Sequence, residues 1–123
     1  MDASNNLAET ANLTFDGTNF GVGGYTALGT GAPSIKMKKL TGTTASTEGG
    51  SVNVAHGLTR TKILDVSVLV DTGSFTISPA YLTIAGYLFD VLTTSTNIAV
   101  ANDATNSENI LSKAFTVLIT YEE

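Results

Sequence analysis

The chain of 123 residues is long enough for one domain with a single core and too short for two. Six Lys+Arg against eleven Asp+Glu leave a net charge of −5, and without clustered cations the composition excludes a duplex-binding protein. Cysteine is absent, which excludes a disulfide framework and thiolate metal sites, and a hydrophobic content of 42% excludes a disordered polar chain.

The first residues, Met1 to Asn6, carry neither the basic region nor the apolar run of a secretory signal, and no apolar stretch approaches membrane-spanning length, so a soluble chain without membrane insertion is expected. Asn12 to Gly23 reads as two short strands around an Asp16-Gly17 turn, followed by Gly24, Gly29 and Gly31. Leu7, Leu13, Phe15, Phe20, Val22, Tyr25 and Leu28 are too few among these glycines to form a core of their own. Pro33 marks the expected boundary between a glycine-rich segment, 1–33, and a compact domain, 34–123.

Within that domain, Ile35–Thr41 is the first expected strand, with Lys36 and Lys38 on a solvated face opposite Ile35, Met37 and Lys39. Ser51–Ala55 follows, and His56 continues the phase of Val52 and Val54, so a structural histidine, packed in the core or facing a trimer axis, is expected. From Lys62 to Val70 the period of two places Leu64, Val66, Val68 and Val70 on the core face and Ile63, Asp65, Ser67 and Leu69 on the other. Phe75 and Tyr81 flank a loop at Ile77-Ser78-Pro79. Further strands are expected at Tyr81–Ile84, Gly86–Leu92, with Tyr87, Phe89 and Val91 inward, and Asn97–Ala101. Asp103–Ser112 reads as a loop holding at most one helical turn capped by Asn106. The last strand, Ala114–Tyr121, turns Phe115, Val117, Ile119 and Tyr121 to one side. The expected fold is all-β: an antiparallel β-sandwich of about six to seven strands behind a glycine-rich N-terminal segment.

Two stretches carry a resemblance. Leu13-Thr14-Phe15-Asp16-Gly17-Thr18-Asn19-Phe20 is similar to the short repeated units of trimeric fibre shafts, and Gly50-Ser51-Val52-Asn53-Val54-Ala55-His56-Gly57-Leu58 resembles the hairpin of fibre-tip and H-type-lectin-like domains. The chain thus resembles phage tail-fibre and virion fibre-tip proteins. The resemblance implies a non-enzymatic homotrimer on the virion surface, assembled in the host cytoplasm. Its N-terminal segment would join other virion proteins, and its tip would attach to a host surface through a cell-surface glycan. It also implies either a fragment of a longer fibre or a whole short one. A capsid or tail decoration protein and a free-standing H-type-like lectin are the alternatives.

No catalytic, cofactor or metal site is expected. The single histidine has no patterned nucleophile or orienting carboxylate, and no glycine-rich phosphate loop continues into Lys-Ser/Thr. Asn102 to Asn109 offers oxygens without the spacing of a calcium loop. Turns of an up-down sandwich alternate between its ends, so 43–50 and 72–78 are expected at one end and 58–60 at the other. The candidate receptor contact is Phe75 with the hydroxyls of Thr72, Ser74 and Thr76, together with Tyr81.

Overall fold

The structure, a computed structural model, describes residues 13–79 and 84–123. It divides into two compact units, 37–121 and the residues before it together with Glu122 and Glu123. In the smaller unit, β1 (Leu13–Phe15) and β2 (Phe20–Val22) form an antiparallel hairpin that sets Phe15 directly opposite Phe20. Thr26 and Ile35 exchange backbone hydrogen bonds of 2.9 and 3.1 Å, and the Lys36 ammonium lies 4.7 Å from the centre of the Tyr25 ring, a cation–π contact.

The larger unit is built from β3 (Ile35–Thr43), β4 (Ser51–Ala55), β5 (Ile63–Asp71), β6 (Thr76–Ile77), β7 (Phe89–Thr93), β8 (Asn97–Asn102) and β9 (Ala114–Glu122). They form a four-stranded sheet in the order β3-β9-β5-β6 and a three-stranded sheet in the order β4-β8-β7. The expected all-β architecture of antiparallel sheets is therefore present. One core joins their inner faces: Val68, Val70, Phe115, Val117 and Ile119 from the first sheet meet Phe89, Ile98 and Val100 from the second. A Cβ at Gly42 would run into the Phe115 ring, so the aromatic side chain sits directly on the β3 backbone.

The strands β4, β8 and β9 lie within two residues of their expected bounds, and Phe115, Val117 and Ile119 are buried. Five expectations are corrected. Leu64 is 49% exposed where a core position was expected, against 1% for Val68, because the register with β9 shifts between Ile63 and Asp65. That bulge inserts a residue and reverses the alternation: Ile63 packs on the core, Leu64 turns outward, and Val66 resumes the inward phase. Ile77 belongs to a strand, β6, and is buried. Lys38 lies on the half-buried side of β3, where its ammonium donates to the His56 carbonyl at 2.8 Å. Ile84 is exposed and outside any strand, while the rest of the expected Tyr81–Ile84 strand lies outside the described residues. The loop before β9 contains one 3-10 turn, Glu108–Ile110, preceded by Ser107 where Asn106 was expected to cap it.

Val68→Ala should lower stability by about 1–3 kcal/mol in chemical denaturation. Leu64→Ala should change it by less than about 0.5 kcal/mol, the behaviour of a surface position; a core-sized loss there would show that the bulge is misplaced.

Candidate functional site

The antiparallel registers sort the loops of the sandwich between its two ends. Val70 lies opposite Phe115 and Ile63 opposite Tyr121, so the turn after β5 shares an end with the start of β9. Thr44, just after β3, is at the same end: its N–H donates to the Lys113 carbonyl at 2.8 Å, and its hydroxyl donates to the Ile110 carbonyl. Asn102 is buried beside them, its amide donating to the carbonyls of Ala45 and Thr47 at 3.0 and 3.1 Å. The segments 44–50, 72–75 and 103–113 therefore lie together. At the opposite end lies His56, whose N–H donates to the Thr96 carbonyl.

The turn between β5 and β6 presents the candidate contact. Asp71 accepts from the N–H of Gly73 at 2.8 Å, and Gly73 has a φ of 94°, a conformation that suits glycine. The Thr72 hydroxyl donates to the Phe75 carbonyl at 2.8 Å and accepts from the Phe75 N–H at 3.2 Å. It builds the turn, so its one hydrogen is already committed. Ser74 and Thr76 are exposed, and Phe75 is 50% exposed. Its ring meets Tyr87 with centroids 5.4 Å apart and planes tilted by 48°. The structure thus brings Phe75, Ser74 and Thr76 to one turn and adds Tyr87, which alternation assigned to the core and which packs against it from one side. Tyr81 lies outside the described residues. The strand expected over Gly86–Leu92 begins only at Phe89, so Tyr87 stands just before β7 and outside any strand; its approach to a turn twelve residues earlier depends on how the two sheets pack.

His56 is fully buried. Its Nδ1 accepts the Leu58 N–H at 3.0 Å, so the ring hydrogen resides on Nε2, 3.3 Å from the Thr94 carbonyl that accepts it. Both ring nitrogens are occupied in holding loops, as expected for a structural residue. In and beside the segment 102–109, two carboxylates, Asp103 and Glu48, are likewise engaged with backbone. Asp103 accepts from the Thr105 N–H at 2.9 Å, which holds its carboxyl below the usual range, and Glu48 accepts from the Ser107 N–H at 3.1 Å. Among the described residues no three of His, Cys, Asp and Glu are grouped as metal ligands, and no helix is long and apolar enough to cross a membrane.

In the smaller unit, the Asp16 carboxylate accepts from the N–H groups of Thr18 and Asn19 at 2.9 and 2.6 Å and from the Asn19 side-chain amide at 3.0 Å. The Asn19 amide and these backbone bonds favour the charged form and lower the Asp16 pKa from 3.8 to about 2. Compared with protein-family models, curated proteins and solved structures, the chain matches none.

Two measurements test these arrangements. His56→Leu should cost about 1–3 kcal/mol, because the Leu58 N–H and the Thr94 carbonyl lose their partner inside the fold. In NMR titration Asp16 should ionise at about 2. Because its folded pKa is lowered, its contribution to hairpin stability should be complete above the unfolded value of 3.8 and should disappear as pH falls through about 2.

Proposed function

We propose that the chain is a non-enzymatic virion structural protein, a homotrimeric fibre or fibre tip that mediates attachment to a host surface. The observation that carries this reading is the β1–β2 hairpin. It exposes Phe15 and Phe20 at 61% each, side by side across the two strands, with Val22 exposed on the same hairpin. A pair of aromatic rings held in water on a three-residue ladder gains little from its own hairpin and needs a covering surface. Copies of the same hairpin around a shared axis supply one, with each protomer burying the rings of its neighbour. A shaft-like role for the glycine-rich segment follows, with the other virion proteins as its further partners.

The sandwich then acts as the tip. The turn holding Phe75, Ser74 and Thr76 lies at the opposite end of the strands from His56, where β3 begins within this unit. An aromatic face flanked by hydroxyls suits the apolar and polar sides of a sugar ring. Three copies convert weak single contacts into avid attachment, which is the physical reason for a trimer.

Sedimentation of the full chain at micromolar concentration should give a trimer, and the double variant Phe15→Ser, Phe20→Ser should shift it toward monomer while the far-ultraviolet β signal is retained. A monomeric full-length chain would overturn the fibre reading.

A further inference from the structure

A second surface feature lies away from the Phe75 turn. Where β5 leaves the 3-10 turn at Arg60–Lys62, a cleft of about 420 Å³ opens between β5 and β7. That volume falls in the lower part of the range of about 300–1,000 Å³ typical of small-molecule sites. Its apolar side comes from Ile63, Val66 and Val91, all partly buried against the core. The bulge turns Leu64 outward at the rim and brings Asp65 into the cleft lining together with Arg60, the only arginine of the chain. Thr93 completes the lining from β7.

The polar side chains here are uncommitted. Elsewhere in the unit several buried or turn-forming groups hold backbone atoms, as the hydroxyls of Thr44, Thr72 and Thr94 and the Asn102 side-chain nitrogen do, while Asn102 Oδ1 has no partner among the described residues. Arg60, Asp65 and Thr93 have no side-chain hydrogen bond or ion pair within the described residues. A guanidinium offers only donors and a carboxylate only acceptors. A ligand carboxylate would satisfy Arg60 and be repelled by Asp65, and an ammonium would meet the reverse. A hydroxyl donates and accepts at once, so adjacent hydroxyls on one ring engage both groups without bringing a charge that must be desolvated. The apolar side of the cleft then meets the C–H face of such a ring.

We propose that this cleft binds one ring of a neutral, hydroxyl-rich saccharide, with Arg60 donating to its hydroxyl oxygens, Asp65 accepting from its hydroxyl hydrogens, and Thr93 contributing a hydroxyl that does either. The assignment stands apart from the virion role and from the Phe75 turn.

The test is residue-resolved NMR of the full-length, 15N-labelled chain titrated with methyl α-D-glucopyranoside, methyl α-D-galactopyranoside and methyl α-D-mannopyranoside, with sodium glucuronate and glycine as charged comparators. At least one glycoside should produce saturable shifts in the amides of Ile63 to Val66, Val91 and Thr93, with a Kd of about 1–10 mM. Arg60→Gln and Asp65→Asn, both at exposed positions, should each keep the folded spectrum and weaken binding by about tenfold or more. The assignment is overturned if no glycoside moves these amides, if glucuronate or glycine binds there more tightly, or if both variants bind as the parent does. Shifts confined to the amides around Phe75 would overturn the cleft and leave the attachment reading standing, whereas a monomer in sedimentation with glycoside binding in the cleft would do the opposite.

Discussion

The two sheets of the sandwich are held in place by a few polar side chains buried at its ends. Each sheet has its own ladder, and among the described residues no ladder joins the two; the apolar core between them attracts without direction, so directional bonds at the ends help set their alignment. At one end the link is His56, which follows β4 of one sheet while its carbonyl accepts from Lys38 on β3 of the other. At the opposite end Asn102 of β8 donates to carbonyls in the loop after β3, and Thr44 in that loop binds the segment before β9. Because these bonds are directional and inside the protein, breaking one leaves a donor or acceptor without water. The loop positions at both ends follow from them.

The bulge at Leu64 has consequences beyond its own strand. It sacrifices one apolar position to solvent and gains Ile63 for the core in exchange. It also interrupts the ladder where β5 has no β6 beside it, since the two residues of β6 pair only with Val70 and Asp71. A bulge on a stretch of strand whose edge away from β9 has no described neighbour, carrying the charged Asp65, is a common means of preventing strand-to-strand association. The same irregularity forms the mouth of the cleft beside β7. Edge protection and an opening between the sheets therefore arise from a single inserted residue.

Most of the fold was legible because β-strands announce themselves through the period of two. Val117 and Ile119 alternate with threonines and a leucine in an unbroken ladder, and the Asp16-Gly17 turn sits between two runs of the right length. What was not legible depended on partners distant in sequence. Nothing in Ile63-Leu64-Asp65 distinguishes a regular strand from a bulged one, because the extra residue is defined against Thr120 and Tyr121. Lys38 alternates correctly, yet the face it shares with Leu40 is the inner one, and its charge is tolerated only because the His56 carbonyl waits for it. Of the candidate contact, the turn and the exposure of Phe75 were readable, and the role of Thr72 was not, since a hydroxyl drawn from a sequence is the same whether it faces solvent or its own backbone.

Thr72 also shows which part of that turn is free to serve a function. Thr94 repeats its arrangement in the other sheet: the Thr94 N–H and hydroxyl donate to the Asn97 carbonyl at 2.8 and 3.0 Å, and the Asn97 N–H returns to the hydroxyl at 2.9 Å. Thr72 and Phe75 make the same three bonds. The device thus requires threonine at its first position and only backbone at its fourth, where one copy holds asparagine and the other phenylalanine. Turn geometry therefore gives no reason for an aromatic side chain at Phe75. One edge of its ring is accounted for by Tyr87, but half of its surface is left in water, an arrangement that costs free energy in a lone protomer and is recovered only when something covers it.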